Sequence, residues 1–486
     1  NLIFWEDIMV VSKKTPAFFT ALSALLFLPL TAFAAEAGAV PAIGPVRFEF
    51  IIFALTLLGV ALLHDKTMHV ALAGLAAIIL FKLFFDPGLN FARHFFGTQD
   101  FFTQIIDKDL RQGEWPVLLN LAGLLLGFAI LAKHFEESGI PDFLPKILPG
   151  NWTGGLFLLL FIAVMSSFLD NIAAAMIGGT IALVVFKGKV HLGYLAAIVA
   201  ASNAGGAGSV VGDTTTTLMW IDGVSPFDVS HAFVASIAAF TIFGVVGSLQ
   251  QHTFNPIAKN APENVTIQWN KLFVVLMILA GAIAANVLFD FPALGVWLAI
   301  ALGTLFSATP WREIKNAWQG TMFLMSLVAS ASLMPVHELP AASMWSAFTW
   351  GFVSAVFDNI PLTKLCLEQG GYDWGVLAFS VGFGGSMIWF GSSAGVALST
   401  MYPQTKNTLA YIGKGWHVTV AYVIAFQIMI AVVGWNPHPS HARSSADHAA
   451  QIRGKEMHNT VSRENDLKMP IKATHPYSFK VDRFPF

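Results

Sequence analysis

Charged residues are scarce in this chain. Only 12% of its 486 residues are Asp, Glu, Lys or Arg, and 55% are hydrophobic, whereas soluble globular chains carry about 25% charge. So few charges cannot cover the surface of a water-soluble protein of this length, which excludes most soluble enzyme classes and predicts an integral membrane protein. The net charge of −2 excludes the basic surface that a nucleic-acid partner requires. The expected partner is the lipid bilayer.

Cysteine is almost absent. Cys366 is the single one, so the chain forms no intrachain disulfide and no thiolate metal cluster, and no cofactor is expected. A membrane enzyme would need a nucleophile–base pair or a metal set near the interface. The histidines within the apolar region do not have such spacing, so we do not expect an enzyme; they are His64, His69, His134, His191 and His337.

The N-terminal region has the features of a signal peptide within residues 9–34. Lys13 and Lys14 form a positive segment, an apolar run follows, and Ala32–Ala34 match the small-x-small cleavage pattern. A retained first helix is the alternative. Cleavage would place the mature N-terminus in the periplasm.

Long apolar segments recur along the chain, most with the roughly 20 residues that one bilayer crossing needs. They lie at 48–63, 68–85, 116–132, 154–186, 190–222, 230–249, 271–289, 292–308, 320–335, 342–367, 374–402 and 412–434. Three of them, 154–186, 190–222 and 374–402, are longer and contain clusters of Gly, Ser, Thr and Asn. This predicts broken helices or re-entrant hairpins.

Two polar segments flank these helices. Residues 90–110 are rich in Phe and form either an interfacial amphipathic helix or a plain loop. From Asn436 the composition becomes polar, with eight Lys/Arg and five Asp/Glu, which predicts a disordered, cytoplasmic tail. With an exported N-terminus this gives an odd number of crossings, about 11 after signal removal. The tail histidines have no convincing metal-ligand spacing, so a solvated tail is preferred; they are His438, His441 and His448.

A motif occurs twice, once in each half of the chain. Ser166–Asn171 reads SSFLDN and Ser354–Asn359 reads SAVFDN. Each is followed by two adjacent glycines and then, six residues later, by another glycine: Gly205, Gly206 and Gly212 in the first half, and Gly384, Gly385 and Gly391 in the second. Such duplication is typical of secondary transporters, whose binding site lies near the midplane where the repeats meet.

Three carboxylates lie inside apolar sequence: Asp170, Asp213 and Asp358. A carboxylate at the bilayer centre costs about 2.5–3.5 kcal/mol, so each is a functional candidate. The alternative is an Asp that caps a half-helix, and the two roles are compatible. A carboxylate that takes up either a proton or a metal cation exchanges one for the other, and Asp170 and Asp358 are the preferred shared sites. The neutral oxygens that would complete a sodium shell come from Asn171, Asn203, Asn359, Thr214–Thr217, Ser386, Ser392 and Ser393.

Lys364 is the basic residue close to the second motif. The preferred interpretation is a lysine near a helix end that extends its ammonium group to the interface. The alternatives are an ion pair with Glu368, four residues on, or with a core Asp.

The motifs SSFLDN, ASNAGGAGSVVGDTTTTLMW, SAVFDNIPLT and GFGGSMIWFGSSAGVA resemble the paired signatures of the NhaD-type sodium/proton antiporters. These belong to a superfamily that includes arsenite-pump subunits and citrate and dicarboxylate carriers. The resemblance covers roughly residues 45–435 and implies an all-α polytopic membrane protein with two inverted repeats, discontinuous helices and re-entrant hairpins. Two features depart from the family: Gly208–Val210 stand where relatives have a Trp and a Pro, and Lys364 stands where they are apolar or small.

The resemblance also implies roles for individual residues. Those expected to bind the cation or proton are Asp170, Asn171, Asn203, Asp213, Thr214, Thr215, Asp358, Asn359, Ser386 and Ser392. Ser167 is expected to support the site. The residues themselves, apart from the resemblance, add further supporting candidates: Gly205, Gly206, Gly212, Thr363, Lys364, Gly384, Gly385 and Gly391.

The sequence therefore predicts an inner-membrane antiporter that exchanges sodium, or lithium, for protons. A sodium-coupled citrate-type symporter and an arsenite permease are the alternatives, and a homodimer is a candidate assembly. The expected regions are 1–34 (upstream residues plus signal peptide), 35–150 (N-terminal helices), 151–250 (first transport core), 251–340 (connecting loop and scaffold helices), 341–435 (second transport core) and 436–486 (polar tail).

Overall fold

The computed structural model describes residues 41–43, 46–63, 66–86, 89–257 and 266–438. Over these residues the protein is an all-α membrane protein whose strands are confined to a two-residue antiparallel pair, β1 (Ala42–Ile43) and β2 (Val46–Arg47). The predicted signal peptide, most of the polar tail, and His441 and His448 lie outside the described residues.

Helices fill the remainder. Before the first motif they are α1 (Phe48–Leu62), α2 (Thr67–Phe85), α3 (Phe91–Phe96), α4 (Phe101–Ile106), α5 (Trp115–Glu136) and α6 (Ile140–Ile147). The first-motif region forms α7 (Trp152–Ser166), α8 (Asn171–Val185), α9 (Leu192–Gly206), α10 (Thr214–Ile221), α11 (Pro226–Ser230) and α12 (Ala232–Phe254). The later helices are α13 (Trp269–Phe289), α14 (Pro292–Gly303), α15 (Arg312–Ser332), α16 (Met344–Ser354), α17 (Asn359–Gln369), α18 (Trp374–Ala378), α19 (Ser393–Met401), α20 (Thr408–Lys414) and α21 (Trp416–Val433).

Within the described residues, five helical stretches are long and apolar enough to cross a bilayer: Thr67–Phe85, Trp115–Glu136, Pro226–Phe254, Trp269–Phe289 and Trp416–Val433. Shorter apolar helices account for much of the motif-bearing sequence. The polytopic membrane character predicted from composition is therefore confirmed.

The three stretches predicted to be broken are broken. The first divides into α7 and α8, and the second into α9 and α10. The third runs through α18, a π turn at Phe379–Phe383 and a 3-10 turn at Gly385–Met387 before α19.

A fourth stretch, 342–367, is also broken, although it is not among the three whose length and composition predict a break. It divides into α16 and α17. Asp358 ends the interruption by capping α17, and its side chain accepts a hydrogen bond from the Ile360 N–H at 3.1 Å. This is the half-helix cap that was the alternative interpretation of Asp358.

Each of the four breaks ends at a polar N-cap. Asp170, Asp213, Asp358 and Ser392 accept from the backbone N–H groups of Ile172 (3.3 Å), Thr215 (3.0 Å), Ile360 (3.1 Å) and Gly395 (3.4 Å), respectively. These bonds satisfy donors that the start of a helix leaves free. The capping role considered for the aspartates is therefore present at all three.

The same contacts hold the breaks together in both halves. The Ser166 hydroxyl donates to the Ser202 carbonyl at 2.5 Å, and the Ser354 hydroxyl donates to the Val381 carbonyl at 2.6 Å. Gly205 lies against the Ala163 carbonyl as Gly384 lies against the Gly351 carbonyl, with no space for a Cβ at either. The duplicated motif thus specifies a duplicated local structure.

The Phe-rich loop differs from both of its predicted forms. It contains two short helices, α3 and α4, and Gly97 ends the first with φ of 74°. A left-handed conformation at this position interrupts the helix, so the loop is neither one amphipathic helix nor irregular throughout.

We predict that Gly205→Ala and Gly384→Ala each destabilise the protein by about 1–3 kcal/mol, the usual cost of overpacking. In both, the new Cβ would collide with a backbone carbonyl, which cannot rotate away as a side chain does. The measurement is the thermal unfolding of detergent-purified protein. Gly413→Ala in α20 is the control because that site has open space; equal melting temperatures for all three variants would contradict the prediction.

Candidate cation site

A cavity of about 400 Å³ reaches the first two aspartates of the apolar core. Asp170, Asp213, Thr214 and Thr217 line its inner part. Lys133, Glu136 and Glu313 line its outer part, where α5 ends and α15 begins. The cavity therefore joins the buried carboxylates to one face of the helical bundle, which we call the cavity face. Glu313 belongs to the region expected to be scaffold, so that region also contributes to the site.

Asp170 and Asp358 have matching environments. Asp170 accepts from the Thr214 hydroxyl at 3.1 Å, and Asp358 accepts from the Ser393 hydroxyl at 2.9 Å. Each donor is the first residue of a half-helix from the same half of the chain. Both carboxylates are partly exposed, but Asp358 lies outside the lining of the cavity, so the two differ in the access they have.

Asp213 is the most deeply buried of the three, with 1% of its surface exposed. Its Oδ1 accepts from the Thr215 N–H at 3.0 Å and from the Asn171 amide at 3.4 Å. Its Oδ2 has no hydrogen-bond partner among the described residues and faces Gly382. A buried carboxylate oxygen without a donor is a place for a proton or a cation.

Asn203 connects the two halves. Its Oδ1 accepts from the Asn171 amide at 3.0 Å, and its Nδ2 donates to the hydroxyls of Ser386 at 2.9 Å and Ser392 at 3.1 Å. All four side chains are buried. The predicted ligands Asn171, Asn203, Ser386 and Ser392 therefore form one network beside Asp213.

The two halves are not identical at this point. Asn203 lies two residues before Gly205, whereas the position two residues before Gly384 is Gly382. Asn359, the counterpart of Asn171, accordingly has an Nδ2 without a hydrogen-bond partner among the described residues. The same comparison pairs Asp213 with the uncharged Ser392, so the polar ligands concentrate in the first half.

The threonines after Asp213 have different functions. The Thr215 hydroxyl is buried without a hydrogen-bond partner among the described residues, so it remains available as a ligand. The hydroxyls of Thr216 and Thr217 donate to the carbonyls of Ser209 (2.6 Å) and Val210 (2.9 Å). They therefore stabilise the break at Gly208–Val210.

Other predicted residues support the breaks or lie elsewhere. The Ser167 hydroxyl donates to the Gly205 carbonyl at 3.0 Å, and the Ser209 hydroxyl donates to the Ser167 carbonyl at 2.5 Å. Thr363 donates only within its own helix, to the Asn359 carbonyl. The glycines at Gly206, Gly212, Gly385 and Gly391 make close backbone approaches within the two breaks.

Lys364 belongs to a separate cluster. Its side chain is 1% exposed, and its Nζ lies 2.6 Å from Glu368, 2.9 Å from Glu114 and 3.7 Å from Asp222. The interpretation that it extends to the interface is wrong because three carboxylates satisfy the ammonium group inside the protein. The alternative pair with Glu368 is present. Glu114 and Asp222 were missed because they are distant in sequence and sit at helix ends.

The chain is similar in sequence to several curated proteins. The chain is 26% identical over 320 residues to sodium/proton antiporter 2 of Arabidopsis thaliana, covering 56% of this chain and 73% of that protein. It is 27% identical over 348 residues to the Na(+)/H(+) antiporter NhaD of Vibrio parahaemolyticus, covering 58% and 83%. The chain is a homologue of the NhaD-type sodium/proton antiporters.

The extent of the match to NhaD-type proteins varies. The chain is 26% identical over 289 residues to sodium/proton antiporter 1 of Arabidopsis thaliana, but this covers only 49% of the chain and 48% of that protein. No family model matches the chain. The named NhaD-type relatives are transporters, which agrees with the prediction that this homologue is not an enzyme.

We predict that Asn203→Ala weakens the packing of the two halves in this NhaD-type homologue. The substitution leaves the buried Asn171 amide without its nearest acceptor, and an unsatisfied buried polar group costs about 1–3 kcal/mol. The readout is the melting temperature in detergent. Asn270→Ala is the matched control, since Asn270 is exposed and donates only to the Phe306 carbonyl. A melting temperature unchanged from that of the control would refute the proposed connection.

Proposed function

We propose that this chain exchanges sodium, or lithium, for protons across the inner membrane. The observation that carries the proposal is the cavity that reaches Asp170 and Asp213, together with the buried Oδ2 of Asp213, which has no hydrogen-bond partner among the described residues. A carboxylate there is neutralised either by a proton or by a monovalent cation, and competition between the two produces exchange. The names of the relatives support the same activity.

The cation would be held by oxygen atoms around Asp213. The Oδ2 of Asp213 and the hydroxyl of Thr215, which have no hydrogen-bond partner within the described part of the chain, would supply two ligands, and Asp170 is on the same cavity as Asp213. Carboxylate, hydroxyl and carbonyl oxygens are what a hard cation prefers. Asn171, Asn203, Ser386 and Ser392 would hold these groups in position through their hydrogen bonds.

The half-helix ends would keep the empty site charged. Asp170, Asp213 and Asp358 each cap a helix N-terminus, where the helix dipole stabilises negative charge. An ionised carboxylate attracts the next cation or proton. This arrangement disfavours reorientation of the transporter while its site is empty and charged, and it therefore favours exchange.

Asp170 and Asp358 would serve as shared sites in alternate states. Asp170 lines the cavity in this structure, whereas Asp358, with a matching hydroxyl donor, does not. Rearrangement of the two halves would give Asp358 the access that Asp170 has here. The proposal therefore includes two inverted repeats, each with one re-entrant hairpin and one discontinuous helix.

Packing of the half-helices supports a twofold relation between the two halves. The half-helices α8 and α19 pack together, and α10 packs with α17. In the repeat, α8 corresponds to α17 and α10 to α19, so each pair combines non-equivalent helices. Such crossed pairing is expected of two copies related by a twofold rotation, and the inversion of one copy is part of the proposal.

The number of crossings is revised by the same proposal. Arg47, before α1, lies 3.5 Å from Glu338, and the Asn436 N–H, after α21, donates to Asp373 at 2.9 Å. Gln369 donates to the Pro340 carbonyl at 2.7 Å, so both contacts belong to one face. The described helices would then begin and end on one face and cross an even number of times, in place of the predicted total of about 11. The orientation of this face stays a proposal, as do the inner-membrane location and a homodimer.

The alternative substrates are less well supported. A citrate-type substrate carries negative charge, which Asp170 and Asp213 would repel in the cavity they share. The curated relatives described above are named as sodium/proton antiporters, which favours neither a carboxylate symporter nor an arsenite permease.

We predict that Asp170→Asn abolishes sodium-driven proton movement in everted membrane vesicles. The amide cannot release a proton at the site, so competition between proton and cation is lost. Proton flux is followed with a pH-sensitive dye after addition of sodium, lithium or potassium. Asp142→Asn in α6, at an exposed carboxylate, is the control and should exchange normally. Exchange by the Asp170→Asn protein at the rate of the control would refute the assignment.

We predict the same loss for Asp358→Asn, although Asp358 is outside the cavity. The reason is that a full cycle must pass through the state in which Asp358 has access. Counterflow of labelled sodium, measured in the absence of a proton gradient, distinguishes the step of the cycle that needs Asp170 from the step that needs Asp358. Full exchange by Asp358→Asn would remove the alternating role of the second half and leave Asp170 and Asp213 as the working pair.

A further inference from the structure

We propose that Lys364 holds the cation path closed at the face opposite the cavity. This inference rests on the proposed function, because it concerns the same path. Lys364 is buried and contacts carboxylates from three different elements: Glu368 in α17, Asp222 at the end of α10 and Glu114 before α5. One side chain thus joins three helices at a single point.

The position of Glu114 places this cluster far from the mouth of the cavity. Glu114 precedes the first residue of α5, and Glu136, which lines the outer cavity, is the last residue of that helix. A helix of 22 residues is about 33 Å long, roughly the thickness of the hydrocarbon core. The Lys364 cluster is therefore at the opposite face, which we call the lysine face.

The two half-helices that carry the core aspartates both end at this cluster. The helix α10 begins after Asp213 and ends before Asp222, and α17 begins after Asp358 and contains Lys364 and Glu368. The two helices pack against each other. A path from the lysine face to Asp213 must separate α10 from α17, and the ammonium group holds them together.

The exposures within the cluster show which group closes the opening. The side chains of Glu114, Asp222 and Glu368 retain 14%, 17% and 21% exposure, whereas Lys364 retains 1%. The carboxylates thus have some access to the lysine face, and the lysine lies beneath them. Without the lysine the three carboxylates would repel one another, because a charge buried without its partner is strongly unfavourable.

The test measures access to the path rather than transport. In a Cys366→Ser background, Thr217→Cys places a thiol on α10 at the inner part of the cavity. A membrane-impermeant thiol reagent is applied to right-side-out and to inside-out vesicles. With Lys364 present, labelling should be fast in only one of the two orientations, because only the cavity face is open.

Lys364→Met should make labelling from the lysine face about tenfold faster or more, since every 1.4 kcal/mol of lost closure corresponds to about a factor of ten. Lys364→Arg should keep labelling one-sided because it preserves the charge. Lys82→Met is the matched control. Lys82 is also buried and lies near two carboxylates, Asp86 at 3.2 Å and Glu49 at 3.5 Å, but it belongs to α2. Its loss should leave labelling one-sided.

The proposal is overturned if Lys364→Met stays one-sided while the protein elutes as a single species in detergent. If that variant does not accumulate, Glu368→Gln provides the second measurement, because it removes the carboxylate nearest to the ammonium group while keeping the lysine. Glu368→Gln should also accelerate labelling from the lysine face, and unchanged labelling would overturn the proposal that Lys364 holds the path closed. Failure of wild-type vesicles to exchange sodium for protons would instead refute the proposed function. The labelling pattern would still show whether Lys364 keeps the path closed at the lysine face.

Discussion

The requirement that every buried backbone group find a partner inside the protein governs this structure. Four helices stop and restart within the apolar core, and hydrocarbon offers no water to the groups that each interruption frees. Aspartate or serine side chains satisfy the restarting ends, and serine and threonine hydroxyls occupy carbonyls at the stopping ends. Polar residues that make the breaks possible, the capping aspartates above all, are thus also residues that can bind a cation. Site and fold depend on one set of contacts.

The duplication explains the layout of the site, and the differences between the copies explain its chemistry. Matching hydroxyls donate to Asp170 and Asp358, as expected for two copies of one motif. The replacement of Asn203 by Gly382 and of Asp213 by Ser392 in the second copy removes both an amide and a charge. A symmetric site would have an acid both at Asp213 and at its counterpart, whereas here only Asp213 is acidic, and its Oδ2, which has no hydrogen-bond partner among the described residues, faces a glycine.

Much of this could be predicted from local sequence. The pairing of Asp-Asn with a downstream glycine pair located both halves, and the isolated aspartates in apolar sequence gave capping of a half-helix as the alternative to ion binding. Segment length alone did not predict the break at Asp358, because that segment is shorter than the three predicted to be broken. The environment of Lys364 was also missed, since Glu114 and Asp222 come from helix ends that only the folded chain brings to it. Periodicity describes which residues share a helix face, but it does not state which helix ends meet.

The paired contacts at the breaks also restrict how the chain can change length. The bond from Ser166 to the Ser202 carbonyl spans α8 and the turn before α9, and the bond from Ser354 to the Val381 carbonyl spans α17 and the turn before α18. The two bonds join residues 36 and 27 positions apart, so the turn within each segment accommodates a change of length. An inserted or deleted residue between the bonded carbonyl and the glycine pair three residues on would instead rotate that pair by about 100° and move it away from the facing carbonyl. Insertions and deletions among homologous proteins should therefore accumulate in the turns and not between these carbonyls and the glycine pairs.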